Sequence, residues 1–313
     1  MKTVLITGAS RGIGFETALA FGRAGHRVHA TMRDPVRAPQ LGAVAASEGL
    51  PISVSVMDVD SDESVRDAIG HVQKDSPIDI LVNNAGIERR GTMEELDLAD
   101  FRAVMETNYF GALRCMQAVL PDMRARESGC VINVTSVAGR ISSSPLGPYA
   151  ASKFALEAMS EAVAQEVKAF NVRVAVVQPG IIDTGMARAI SGVLQPSIYP
   201  QERRLANMFV ASLESPTGPS LVAEKILDIV ESGTGQLRHP VGPDAQGFLD
   251  WRASLSDEEW VDWWGVADDD AWYDAVERDL GLDARPAGGR GAASAAYQRA
   301  GTPTNLVVAP KKG

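Results

Sequence analysis

The feature that most constrains this chain is a series of short, almost unbroken apolar segments separated by stretches of helical spacing. The segments are residues 2–7 (KTVLIT), 28–31, 52–57, 78–82, 131–135 and 172–177. A strand with one face in water alternates apolar and polar residues, whereas a strand covered on both faces does not. Helical patterns lie between them, at 13–24, from the second segment to about 47, and at 62–73, 100–126 and 149–170, with another at 221–231. In 100–126, Phe101, Val104, Met105, Asn108, Ala112, Leu113 and Met116 follow a 3.6-residue period, which predicts one long helix. Buried strands alternating with helices predict an α/β chain with a doubly wound parallel sheet, a Rossmann-type three-layer sandwich.

Residues past about 236 follow a different pattern. All five tryptophans (Trp251, Trp260, Trp263, Trp264 and Trp272) lie there. Ser256 before Asp257-Glu258-Glu259 is a capping-box pattern that starts a short helix. Trp272, Val276 and Leu280 share one face of a second. The expected division is a catalytic and dinucleotide-binding domain over 1–243, a Trp-rich acidic helical extension over 244–285, and a Gly/Ala/Pro-rich tail over 286–313. That tail suits a mobile end or a subunit contact. The extension either covers the site or meets another subunit, and burial against its own domain fits equally well.

The net charge of −10 is concentrated: residues 256–279 hold ten acids and one base, Arg278. An acidic chain of this kind argues against nucleic-acid binding. Cys115 and Cys130 are too few for a disulfide framework and read as small apolar side chains in a reducing compartment. Four scattered histidines give no basis for structural zinc, so no metal is expected. The apolar stretch after Met1 is too short for a signal peptide, and no run approaches the ~20 residues of a membrane span. The expected location is cytoplasmic.

Between the first strand and first helix lies Thr7-Gly8-Ala9-Ser10-Arg11-Gly12-Ile13-Gly14. Glycines there let the backbone turn sharply and approach a pyrophosphate, while the helix N-terminus supplies N–H groups and positive dipole. Its position at the first strand–helix junction makes this pattern more specific than glycine spacing alone.

The TGxxxGxG spacing resembles that of the classical short-chain dehydrogenases/reductases. Further marks of that family follow in order: Asn83-Asn84-Ala85-Gly86, Asn108, Ser136, Tyr149-x-x-x-Lys153 and Pro179-Gly180. The resemblance covers roughly residues 1–240. Residues 30–34, 149–157 and 240–243 look most like the 17β-hydroxysteroid and retinol dehydrogenase-like branch. The resemblance implies catalytic roles for Asn108, Ser136, Tyr149 and Lys153. It implies cofactor contacts from Gly8, Ser10, Arg11, Gly12, Ile13, Gly14, Asp58, Val59, Asn84, Ala85, Gly86, Tyr149, Lys153, Pro179, Gly180, Ile182 and Thr184, and assembly as a homodimer or homotetramer. Asn108 would hold a water linking Lys153 to solvent, and Thr184 would bond the nicotinamide carboxamide.

The residue ending the second strand distinguishes NAD(H) from NADP(H): an acid bonds the ribose 2′-hydroxyl, a base accommodates a 2′-phosphate. Arg33 is at that position and Arg11 faces it from the loop, so NADP(H) is favoured over NAD(H). The other reading leaves Arg33 as a surface base and gives the ribose to Asp34. Asp58 can contact adenine or cap its turn, or do both. Free tyrosine is a poor base near neutral pH, and a nearby cation favours its phenolate. Tyr149 and Lys153, four residues apart on one helix, share a face. Ser136 and Thr135 point oppositely, and family register selects Ser136 to hold the substrate oxygen.

The expected activity is interconversion of a ketone and a secondary alcohol on a hydrophobic small molecule, steroid-, retinoid- or polyketide-like, with Tyr149 as general acid/base. The pocket is expected from loops 87–95, 137–148 and 183–218, which supply Ile87, Val137, Ile141, Pro145, Leu146, Met186, Ile190, Val193, Leu194, Tyr199, Met208 and Phe209. Glu88, Arg89 and Arg90 read as a solvated loop, the other reading being contact with a polar substrate group. The other functions weighed are a non-catalytic nucleotide-sensing relative, which would lose the tyrosine or lysine, and a dehydratase or epimerase, which would need a larger substrate domain.

Overall fold

The computed structural model describes residues 1–192 and 197–286. Its centre is a seven-stranded sheet in the order β3-β2-β1-β4-β5-β6-β7, every neighbouring pair parallel. The strands are β1 (Thr3–Thr7), β2 (Arg27–Met32), β3 (Ile52–Val56), β4 (Ile80–Asn83), β5 (Gly129–Val134), β6 (Val172–Pro179) and β7 (Arg238–Val241). Residues of β1 and β4 are buried throughout, as unbroken apolar runs require. The edge strand β3 instead buries none of its residues fully, and Val56 is exposed.

The six strands expected are all present. The seventh was not anticipated, because Arg238-His239-Pro240-Val241 is short and contains a proline. Proline cannot donate to a ladder and is tolerated at a sheet edge, which is where β7 lies.

Helices cover both faces. On one side Phe21 of α1 (Gly12–Arg23), Leu41 of α2 (Gln40–Glu48) and Ile226 of α9 (Ser220–Ser232) pack on alternate strand residues such as Val4 and Ile6. On the other, Ile69 of α3 (Asp62–Asp75), Met116 of α5 (Gly111–Ala125) and Val163 of α6 (Gly147–Val167) pack on Leu5, Leu81 and Val131. Cys115 and Cys130 are free and buried among these apolar side chains.

The single long helix expected over 100–126 is interrupted. α4 (Leu98–Met105) passes through a π-helical turn at Glu106–Phe110 before α5 begins. The extra residue in that turn holds the buried Asn108.

Two helices in the substrate loop, α7 (Gly185–Ile190) and α8 (Gln201–Ser212), and a third in the extension, α10 (Ala245–Ser254), were not anticipated. α11 (Asp257–Gly265) has the expected capping box at Ser256 and Glu259, and α12 (Asp269–Leu280) buries Trp272 and Val276. The tryptophans stack edge-to-face on one another, and they pack with Leu146, Ile190, Leu205 and Met208 of the main domain. Arg204 of α8 anchors this lobe. Its fully buried guanidinium donates to Asp269 Oδ1 (2.9 Å) and to the carbonyls of Val266 (2.6 Å) and Ala267 (3.2 Å), and lies 5.3 Å from the Trp272 ring centroid. The extension is therefore buried against its own chain. The expected tail over 286–313 lies, apart from residue 286, outside the described residues. No described helix is long and apolar enough to cross a membrane.

Candidate active site

Two cavities open at the carboxyl ends of the strands, where parallel sheets place ligands. The first is a polar cleft of about 250 Å³ above β1, β2 and β4. Gly8, Ser10, Arg11, Gly12 and Ile13 line it from the first loop, and Arg33, Asp58, Val59, Asn84, Ala85 and Gly86 from the following strand ends. Tyr149, Lys153 and Thr184 close it.

The glycines are there for geometric reasons. Gly8 has φ +68° and Gly12 φ +60°, conformations that side chains resist. A Cβ on Gly8 would also stand 2.7 Å from Ala85 Cα. Gly14 lies beneath the cleft, where a Cβ would stand 2.6 Å from the Gly8 carbonyl oxygen. Thr7 and Asn84 fasten the two loops together. The Thr7 hydroxyl accepts from the Asn84 and Ala85 N–H groups at 3.0 and 2.9 Å, and the Asn84 amide donates to the Thr7 and Gly8 carbonyls at 2.9 and 3.1 Å. A helix N-terminus behind a glycine-rich loop, in a cleft that Arg11 and Arg33 also line, fits a dinucleotide phosphate group.

Of the two candidates for the ribose, Asp34 turns back on its own loop. Its Oδ1 accepts from the Val36 and Arg37 N–H groups, each at 3.1 Å, while Arg33 lines the cleft. Asp58 caps its turn, its Oδ1 accepting from the Asp60 N–H at 3.1 Å, and it is also among the residues lining the cleft. Met32, Met57, Asp60 and Thr107 also line the cleft and were missed. Asp60 accepts from the Thr107 hydroxyl at 3.1 Å, and burial pushes its carboxyl upward. Its position two residues past Asp58 was the one available signal.

The second cavity, about 170 Å³, is apolar and adjoins the first at Tyr149. Ser136, Gly180, Ile182, Met186 and Ile190 line it from the main domain, and Phe248, Trp251, Trp260 and Trp264 from the extension. Ile141, Leu146, Met208 and Phe209 stand where the loop reading expected them, whereas Val193 and Leu194 lie outside the described residues. Tyr199 is in neither lining; its hydroxyl donates to Glu94.

Tyr149 belongs to both linings. Burial pushes its phenol up to about 12; a hydrogen bond with Ser136 acts downward and the Glu88 charge upward. Ser136, at the end of β5, also accepts from the Ala138 N–H at 3.1 Å. The neighbouring Thr135 hydroxyl turns away and donates to Glu157 at 2.8 Å, consistent with the strand alternation that excluded it.

Lys153 is buried and donates to the Val134 carbonyl at 2.9 Å, its Nζ 5.6 Å from the Tyr149 ring centroid. Burial brings its ammonium down to about 8, against the opposing pull of Glu157. Glu157 is itself held by Arg238 of β7 (2.8 Å) and Gln178 of β6 (3.0 Å), a buried network that sequence reasoning did not single out.

Asn108 lines neither cavity. From the π turn it brackets Ile87, accepting from its N–H at 2.8 Å and donating to its carbonyl at 2.9 Å, and it donates to the Ser152 hydroxyl at 2.9 Å. Thr184 caps α7, accepting from the Ala187 N–H at 3.3 Å, and lines both cavities. Pro179 lies behind the site, where its carbonyl accepts from Ser136 at 3.5 Å. Gly180 is packed against Asp244, whose Oδ2 accepts from the Ile181 N–H at 2.7 Å.

The solvated-loop reading of 88–90 needs correction at Glu88, whose carboxyl is pushed upward by burial, and at Arg90. The Arg90 side chain is buried and reaches across to α7, donating to the Ile190 carbonyl and, at 3.0 Å, to that of Gly192, with Nε 3.3 Å from Glu202. Three partners for one guanidinium explain why it is drawn in. Arg89 is exposed and pairs with Asp100 at 3.1 Å.

A family profile described as short chain dehydrogenase matches residues 2–193. The chain belongs to the short-chain dehydrogenase family. It is 34% identical over 270 residues to an oxidoreductase, BOA17, of Botryotinia fuckeliana, covering 83% of this chain and 96% of that one. It is 41% identical over 187 residues to human retinol dehydrogenase 8, covering 58% and 60% respectively. Among solved structures, an actinorhodin polyketide ketoreductase with NADPH superposes with a TM-score of 0.67 at 28% identity, covering 76% of this chain and 95% of that one. This short-chain dehydrogenase is accordingly an oxidoreductase acting on CH–OH groups with NAD(P), with retinol dehydrogenase-like relatives.

Proposed function

We propose that the protein is an NADP(H)-dependent oxidoreductase that interconverts a ketone and a secondary alcohol on a hydrophobic small molecule, with Tyr149 as general acid/base. The observation that carries the reading is the position of Tyr149 between the polar cleft and the apolar cavity, beside Ser136 on one side and Lys153 on the other. The nicotinamide cofactor, when bound, supplies or accepts the hydride.

Within this chain, Ser136 orients the substrate oxygen toward Tyr149. The Tyr149 hydroxyl gives its proton to that oxygen in reduction and recovers it in oxidation. A phenol held at about 12 is protonated near neutral pH, the form reduction requires. Lys153, rigidly held by Val134, supplies positive charge beside the reacting pair and a donor toward a ribose hydroxyl. Asn108 fixes the Ile87 backbone that borders the cleft, so its contribution is to position this wall.

The NADP(H) preference rests on Arg33 and Arg11 lining the cleft while Asp34 serves its own turn. Exposed Phe110 and Phe154 support assembly as a homodimer or homotetramer, and a monomer in sedimentation would count against it. The test of function is absorbance at 340 nm on mixing NADPH, or NADH in parallel, with a panel of hydrophobic ketones. Oxidation of NADPH well ahead of NADH is expected. No oxidation of either coenzyme would overturn the assignment.

A further inference from the structure

We infer that the substrate is an uncharged aryl ketone of one or two rings, or the matching alcohol, seated under a tryptophan roof that the C-terminal helices place over Tyr149. This rests on the proposed ketone–alcohol chemistry and narrows it.

Three observations carry the inference. First, Trp251, Trp260 and Trp264 of the extension, with Phe248, face the same cavity as Ser136 and Tyr149. Flat aromatic walls favour flat aromatic guests through stacked or edge-to-face contact. Second, none of the described residues lining this cavity is Asp, Glu, Lys, Arg or His; its polar side chains are those of Ser136, Ser143, Tyr149 and Thr184. An ionised substrate group would lose its hydration there without a partner. Glu88 also acts electrostatically on Tyr149, which further disfavours an anionic substrate.

Third, the cavity is compact. A dry apolar cavity of roughly 150 Å³ is known to take one benzene ring. At about 170 Å³ this cavity accommodates one ring with its carbonyl, or two fused rings reaching toward the cleft. A four-ring steroid skeleton exceeds this volume and would extend beyond the aromatic walls.

The roof is firmly attached. The Trp260 Nε1–H donates to the Ser142 carbonyl at 2.9 Å, in the loop that follows Ser136. Arg204 ties α8 to the start of α12, and Asp244 ties the start of α10 to Ile181. The aromatic wall over Tyr149 is therefore built from well-anchored side chains.

The experiment compares acetophenone, 1-indanone, a four-ring steroid ketone and pyruvate as substrates of the full chain with NADPH. Binding is followed independently by quenching of tryptophan emission, since every tryptophan belongs to the extension. The aryl ketones are expected to give kcat/KM roughly tenfold or more above the steroid and to quench the emission, while pyruvate does neither. Trp264→Ala is expected to raise KM for 1-indanone roughly tenfold and to admit the steroid, with NADPH affinity unchanged. Trp251→Leu, closer in size, serves if Trp264→Ala fails to fold, with the same direction expected. Steroid or pyruvate turnover exceeding that of the aryl ketones, or aryl turnover without quenching, overturns the inference. Quenching without any turnover leaves the roof in place and overturns the proposed chemistry instead.

Discussion

Replacing Arg204 by methionine tests whether one buried cation holds the roof on. The substitution keeps much of the side-chain volume but removes the donors to Asp269 and to the Val266 and Ala267 carbonyls, together with the contact to Trp272. Breaking a buried charge pair costs about 3–5 kcal/mol. Asp269 retains Arg203 as a partner, so the lower end, about 3 kcal/mol, is expected. With a urea dependence of about 2 kcal/mol per molar, the roof transition should move down by about 1.5 M. Tryptophan emission reports on the extension alone, because all five tryptophans are there, and far-ultraviolet circular dichroism reports mainly on the sheet and its helices. In Arg204→Met the emission should shift red at lower urea than the dichroism change. Coincident transitions at the wild-type midpoint would refute the idea that Arg204 carries the attachment.

Further expectations concern the cleft and its surroundings. Lys153 is held at about 8 by burial against a usual 10.5, so the unfolded chain binds more protons between those values and this group's contribution rises with pH there. The stability difference between wild type and Lys153→Met should therefore grow by about 1 kcal/mol from pH 7 to pH 9, and a flat difference in denaturant titrations would contradict the burial argument. Arg33→Ala should weaken NADPH by about tenfold or more and leave NADH nearly unchanged, read as the ratio of the two KM values; equal losses would mean that Arg33 does not select the phosphate. Asp244→Ala releases the Ile181 N–H and should lower turnover about tenfold with little change in coenzyme affinity, whereas Asp244→Asn, which keeps an acceptor, should recover most of it. Equal rates for all three proteins would remove Asp244 from the positioning of this loop.

What could be read in advance follows from which physical signals are local. Buried parallel strands and the tight loop at Gly8–Gly14 leave direct marks in composition and spacing, so the sheet and phosphate-side cleft were foreseeable. β7 was not, because its pairing with β6 depends on tertiary contact and its Pro240 argues locally against a strand. The π turn at Asn108 was hidden because its apolar neighbours keep an unbroken helical period. Arg90 looked like a solvated base, and its burial depends on the Ile190 and Gly192 carbonyls about a hundred residues away. The roof shows the same limit: the capping box and apolar face of its helices were legible, but the surface they cover is defined by α7 and α8.

The proton-donor role of Tyr149 is tested by a single-turnover measurement at 340 nm with Tyr149→Phe, alongside titration of the same protein with NADPH. Ketone reduction should fall by about a thousandfold or more while NADPH affinity stays within a few-fold of wild type. Reduction at a rate near that of the wild-type enzyme would contradict the assignment of Tyr149 as the proton donor.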